Sequence, residues 1–171
     1  RRYEILKSLG LDFEVVASGI EEDSAGPGDP VWFTRNHTMK KGEMVSALHP
    51  DALVISADTV VVLKDHIIGK PEDENDAFEI LSTLQGKTHQ VYTAYGLFLK
   101  RYEKEIINHV VTDVTFRDLS DDEIWAYINT GESVDKAGAY GIQGQGSLLI
   151  KSIHGCFYNV VGFPVSSFYL D

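Results

Sequence analysis

The spacing of apolar positions changes several times along this chain, and each change marks an element. Tyr3, Ile5, Leu6 and Leu9 recur at helical spacing and Gly10 ends them, so a short helix is predicted at the start. Residues 12–18 gather apolar side chains about one glutamate and predict a short strand. Residues 21–30 have no apolar period and are rich in glycine and proline, which predicts a loop. Residues 36–48 carry a thin helical face of Met44, Val45 and Leu48. Residues 53–63 are largely apolar and β-branched, a strand that turns and returns through 64–71. Next comes a helix over 72–86, with Asp73 as N-cap and Gly86 as its stop. Residues 89–100 and 107–119 read as two strands joined by the charged turn 101–105, most simply a hairpin. Ser120 and Glu123 form a capping box for a helix that ends before Gly131. A strand at 147–153 and a final helix within 162–170 close the pattern.

Strands and helices alternate, and a hairpin interrupts them. The predicted class is α/β, with a mixed twisted sheet flanked by helices rather than a purely parallel one. The 171 residues suit a single domain over 1–171, with room for a small second lobe. The chain begins on a helical pattern with no strand before it, so a further N-terminal strand is expected upstream.

Composition narrows the function classes. Hydrophobic residues are 43% of the chain, too many for a disordered one. No apolar run approaches the roughly 20 residues of a membrane span, and no signal-peptide pattern is visible. A single cysteine rules out an internal disulfide and makes the cytoplasm the expected compartment. The net charge of −11 opposes non-specific binding to DNA or RNA. It leaves open a small polyphosphate held by a local basic pocket or a metal ion.

Several polar residues interrupt this pattern where chemistry is plausible. Asp58 sits within the apolar run 53–63, where an ionised carboxylate is costly without a partner. It reads either as a ligand for Mg²⁺ or Mn²⁺ or a proton acceptor for water, or as a turn residue paired with Thr59. Lys70, framed by Gly69 and Pro71, either aims an ammonium at a phosphate or is a solvated turn lysine. Residues 135–146 hold four glycines, letting backbone approach a ligand and cradle an anion, yet match neither GxGxxG nor a P-loop. Arg1 and Arg2 are either a phosphate clamp or surface charge. Glu21 and Glu22 are either a second metal carboxylate or a solvated acidic loop. Lys40 and Lys41 are solvated lysines by default. Cys156 and His154 share a face of an extended segment, but no known nucleophile signature surrounds the cysteine. The six histidines show no zinc-ligand spacing.

Taken in order, the segments RRYEIL, IEE (20–22), KKGEMVSALHPDALVISADTVVVL, IGKP, LQGKTHQVYTA, VTFRDLSDDEIWAYINTGE, DKAGAYGIQGQG and NVVGFP resemble the Maf family, nucleotide pyrophosphatases named for septum formation. The resemblance covers nearly the whole chain. The family pattern opens on a strand and an S-x-S-P-R-R turn, of which Arg1 and Arg2 stand here. The resemblance implies an inosine triphosphate pyrophosphatase-like fold with a cleft between two lobes. It implies hydrolysis of a nucleoside triphosphate to the monophosphate and pyrophosphate, with a link to septum formation and cell-division arrest. In this reading Asp58 and Glu22 serve a divalent metal (Mg²⁺ or Mn²⁺) and the attacking water. Lys41 and Lys70 stabilise polyphosphate charge, Arg1, Arg2 and Thr59 bind substrate, and Gln143 belongs to the pocket. Glu21 in place of Glu22, and Lys40 in place of Lys41, stay open. ADT and DKAGAYGIQG resemble the branch acting on dTTP, UTP and modified pyrimidine nucleotides. A homodimer is implied as well. The alternative is a nucleotide-binding regulator of cell division that uses the same pocket without turnover.

Overall fold

The structure, a computed structural model, describes residues 1–20, 26 and 28–171. A five-stranded sheet organises it, in the order β2-β1-β3-β4-β5. Its strands are β1 (Val54–Leu63), β2 (His66–Ile68), β3 (Thr88–Leu99), β4 (Lys104–Phe116) and β5 (Ile150–His154). The helices are α1 (Arg2–Ser8), α2 (Pro30–Leu48), α3 (Glu74–Leu84), α4 (Asp121–Ile128), α5 (Phe157–Val161) and α6 (Val165–Leu170).

The α/β class and the helix-flanked sheet are as expected, but every strand pairing is antiparallel where a mixed sheet was anticipated. The reason is β2. A strand–helix–strand unit normally returns a parallel strand. Here β2 folds back along β1 first, so α3 runs up and β3 comes down against β1, pairing Asp58 with Ala94 and Thr59 with Thr93. Because β2 is so short, it covers only Val61, Val62 and Leu63 of β1. Among the described residues, no strand covers that edge of β1 from Val54 to Val60.

Side-chain alternation then makes two unlike faces. Ala57 and Val61 of β1, Val91 and Tyr95 of β3, and Val114 and Phe116 of β4 point into the main core. There they meet Leu81 and Leu84 of α3, Ile124 and Ile128 of α4, and Val160 and Val161 of α5. The other face of β1, from Ser56 through Asp58 to Val60, lies under α2.

Several boundaries differ from the expectations, among them β4, which runs from Lys104 to Phe116 rather than over 107–119. Helix α2 begins at Pro30, not near residue 36, with the Asp29 carboxylate accepting from the Val31 and Trp32 amides. Its inward face repeats at helical spacing through Thr34, His37, Thr38, Lys41, Gly42, Val45 and Ser46. The period was present in the sequence but carried by small and polar residues, so an apolar pattern could not show it. Thr34 donates to Pro30 O, Thr38 to Ala94 O and Ser46 to Glu43 O, which makes this polar face buriable. The strand expected at 12–18 is absent: this stretch is irregular, and Val15 and Val16 are both exposed. Adjacent apolar residues give it no alternating face, and no described strand pairs with it. At the C-terminal side, residues 147–149 belong to a 3₁₀ turn, Gly144–Leu149, and β5 starts only at Ile150.

Candidate functional site

A cavity of about 600 Å³ opens along the uncovered edge of β1. The β1 residues 58–61 form its floor. One wall is α2, through Phe33, His37 and Lys41. The other comprises Arg1 to Tyr3, the 135–140 segment and the end of α5.

Asp58 answers the cost of its burial with a cation. Its residue is 8% exposed, and Lys41 Nζ stands 2.7 Å from Oδ1. His37, one helical turn before Lys41 and almost fully buried, places Nδ1 3.6 Å from Oδ2. Phe33 packs edge-on against the His37 ring, with centroids 4.2 Å apart. Of the two lysines left open by the sequence, Lys41 reaches Asp58 and Lys40 is exposed. A buried ion pair is a poor source of stability compared with apolar packing, so the fold alone gives no reason to keep it here.

Thr59, next along the strand, faces the opposite side. Its hydroxyl meets Thr93 Oγ1 at 2.9 Å and Arg2 Nη2 at 3.1 Å. Arg2 Nε donates to Gly162 O at 2.9 Å. Arg1 lies 3.7 Å from Asp135, and Lys136 bonds the same carboxylate at 2.7 Å. The Lys136 hydrogen bond is the main cause holding the Asp135 carboxyl below its ordinary range. Lys70 lines the rim and is exposed. Its turn is fixed to the 135–146 segment because Gly138 N donates to Gly69 O at 2.9 Å.

The glycine-rich segment 135–146 does cradle an anion, but the anion is the protein's own. The Glu132 carboxylate accepts from the amides of Gln145 and Gly146 at 3.2 and 3.4 Å. Gly144 packs so closely that an added Cβ would stand 2.8 Å from Glu132 Oε1. Only Asp135, Lys136, Ala137 and Tyr140 of this segment face the cavity. Gln143 is exposed and is not among the lining residues, so the structure does not bring it to Asp58. Tyr140 forms a wall with its hydroxyl 2.7 Å from His89 Nε2. Burial pushes the Tyr140 hydroxyl up and the His89 imidazole down to about 4, so both stay neutral near neutral pH.

Glu21 and Glu22 lie outside the described residues. Among the described residues no three His, Cys, Asp or Glu side chains gather as a metal cage. Asp58, Lys41, Lys70, Arg1, Arg2 and Thr59 do converge on one cavity. Sequence reasoning gave no role to His37, Asp135, Lys136 or Tyr140. For His37 the available signal was its i, i+4 spacing to both Phe33 and Lys41, visible once the helix is extended back to residue 30.

The lining residues thus place Arg1, Arg2, Lys41, Lys70 and Lys136 against Asp58 and Asp135, in a protein of net charge −11. This local reversal of sign suits a polyanionic ligand. Comparison with known proteins agrees in outline. Residues 1–170 match the model of the family described as Maf-like protein. A dTTP/UTP pyrophosphatase of Aquifex aeolicus is 46% identical over 169 residues, 99% of this chain and 87% of that protein. Proteins of the same name from Thermoanaerobacter sp. strain X514 and Desulforamulus reducens are 43% and 41% identical, over 99% and 97% of this chain and 88% and 87% of theirs. The chain belongs to the Maf-like protein family.

Proposed function

We propose that this protein hydrolyses dTTP and UTP, and pyrimidine nucleotides modified on the base, to the monophosphate and pyrophosphate. One observation carries the reading. A buried carboxylate, Asp58, paired with Lys41, stands in a cavity lined with cations inside an acidic protein. The names of the relatives supply the substrate class.

In the reaction water adds to the α-phosphorus, the bond from that phosphorus to the bridging oxygen breaks, and pyrophosphate leaves. The water proton passes to a carboxylate, and among the described residues Asp58 is the buried carboxylate that lines the cavity. Arg1, Arg2, Lys41 and Lys70 neutralise the phosphates, which is most of what such chemistry requires. Lys41 also fixes Asp58 and, from α2, ties the acid to the phosphate wall. Tyr140 and Phe33 give the cavity apolar sides. Gln143 is assigned no contact with the reacting groups.

The donor set fits a hard divalent cation held in the mode usual for Mg²⁺, by one or two carboxylates together with substrate phosphates and water. Asp58 would be one carboxylate, and Glu22 is the second in this reading. When bound, Mg²⁺ or Mn²⁺ adds positive charge at the phosphate oxygens. A cytoplasmic homodimer belongs to the same proposal. Among the described residues no helix is long and apolar enough to cross a membrane.

The test is pyrophosphate release from dTTP, UTP, CTP, GTP, ATP and 7-methyl-GTP, with Mg²⁺ or Mn²⁺, for the wild type and Asp58→Asn. Release confined to dTTP and UTP and lost in the variant is the expected result. Binding of dTTP without release from any nucleotide would leave the non-catalytic regulator instead. Sedimentation velocity checks the dimer.

A further inference from the structure

Arg2 does not merely reach the cavity; its guanidinium is gripped along one edge by a closed ring of hydrogen bonds. Nε donates to Gly162 O at 2.9 Å and Nη2 to Thr59 Oγ1 at 3.1 Å. Thr93 Oγ1 has one proton and directs it to Asn159 O at 2.9 Å. The 2.9 Å contact between the two threonines is therefore donated by Thr59, which leaves Thr59 oxygen to accept from Arg2. Gly162 N donates to the same Asn159 O at 3.0 Å, and the ring closes. Its back is rigid. Thr93 and Asn159 are fully buried, and Asn159 Nδ2 bonds Val91 O at 2.9 Å and Thr112 Oγ1 at 3.0 Å. Thr112 in turn holds both the amide and the carbonyl of Cys156 at the start of α5.

We infer that Thr93 and Asn159 are positioning residues that hold Arg2 as a preset fork for phosphate, an inference that rests on the phosphate-binding role proposed above. The guanidinium is planar, so fixing Nε and Nη2 on one edge fixes the direction of every other N–H. Ordering a long side chain before the ligand arrives removes that entropic cost from binding. The groups of the ring behind Arg2 are neutral hydroxyls, an amide and carbonyls. Its links span four separate parts of the chain, Arg2, Thr59, Thr93 and the Asn159–Gly162 turn, with no apolar period to announce them.

The experiment has two arms. In the first, an NMR spectrum of the arginine side chains follows exchange of the Arg2 Nε proton in full-length wild type, Thr93→Val and Thr93→Ser. Slow exchange in the wild type and in Thr93→Ser, and fast exchange in Thr93→Val, is expected. Rapid exchange in the wild type would overturn the ring. The second arm measures Kd for inorganic tripolyphosphate and kcat and KM for dTTP, with Arg2→Lys and the double variant added. Thr93→Val should raise Kd and KM about tenfold with kcat within about twofold, the pattern of lost uniform binding. In the Arg2→Lys background it should add nothing. An equal loss in both backgrounds would sink the positioning role, since the effect would not pass through Arg2. If Thr93→Val does not fold, Thr93→Ala removes the same hydroxyl, lies outside the cavity lining and is read the same way. The two failures stay distinct. A protein that turns over no nucleotide while the proton arm behaves as expected loses the proposed function and keeps the ring. Normal turnover with an unchanged KM in Thr93→Val loses the positioning role and keeps the function.

Discussion

Asp58 and Thr59 are neighbours on one strand, yet the two sides of the sheet they face are built on opposite rules. Toward α2 the contacts are charged, with Lys41 at 2.7 Å from the Asp58 carboxylate. Toward α5, Thr59 and Arg2 are held by a ring of neutral hydroxyls, an amide and carbonyls, while the ion pairs of that wall are those of Asp135 with Arg1 and Lys136. The α2 face holds the group suited to moving a proton, and the α5 face holds a group suited to binding. The difference teaches where each kind of damage should appear: in kcat on the α2 side and in KM on the α5 side.

The largest effect should come from Asp58→Asn. The amide keeps the shape and an acceptor for Lys41 but cannot take a proton. Turnover of dTTP should fall by about 10³-fold or more, within the range for a lost general base. The melting temperature should move by only a few degrees, which a circular dichroism melt checks. A variant with full activity would show that the α2 face is structural.

The second effect concerns pH, and its His89 part lies on the α5 face of the sheet, while His109, opposite Ala94, lies on the Asp58 face. Burial depresses His89 from 6.5 to about 4. Between those values the unfolded chain binds a proton that the folded chain refuses. Stability therefore falls as pH drops through this window, by at most about 3 kcal/mol from this group. His109 is lowered in the same sense, mainly by burial. Glu123, Asp135 and Asp171, all held below their ordinary carboxylate values, lose their contribution at lower pH still. Urea unfolding at about pH 7, 5.5 and 4.5 measures the slope, and His89→Gln should flatten most of it.

How much of this was legible beforehand follows the same division. The capping box at Ser120 and Glu123 and the Asp73 cap are local events that formed as read, and the β3–β4 hairpin formed too, with its second strand at Lys104–Phe116 rather than 107–119. Asp58 was visible because an acid within an apolar run is conspicuous. Helix α2 was half hidden, because Thr34, Thr38, Gly42 and Ser46 bury no apolar surface that a periodicity would register. The Arg2 ring was invisible, since Arg2 and Gly162 lie 160 residues apart in sequence and meet only through the fold. The resemblance placed residues in the cavity that spacing alone left undecided. It also placed Gln143 in the pocket, but the structure leaves that residue exposed, beside a turn whose amides face Glu132.

Gly42→Ala should act next, on stability and kcat together. A Cβ at Gly42 would stand 2.0 Å from Cε2 of the Phe98 ring, so helix or ring must move. Overpacking of this kind costs about 2 kcal/mol. Lys41 is the adjacent residue on the same helix, so displacing α2 disturbs the Asp58 pair as well. A drop in melting temperature together with a lower kcat and a nearly constant KM is expected. A raised KM with normal kcat would break the division between the faces.

Gly162→Ala is the mildest test and addresses the other face directly. Gly162 has φ of +112°, where an L side chain is strained by about 1–2 kcal/mol. Space is not the difficulty, since the new Cβ would lie 3.5 Å from Thr59 Oγ1 and 3.9 Å from Arg2 Nε and Nη2. Relief of the strain must turn the peptide whose carbonyl accepts from Arg2 Nε. The fork is then held by one fewer partner while Asp58 and Lys41 are untouched. KM for dTTP should rise about threefold, a fraction of the cost of releasing one long side chain, with kcat unchanged. Equal falls in kcat for Gly42→Ala and Gly162→Ala would mean that the two faces move as one body and that charge and direction are not separately housed.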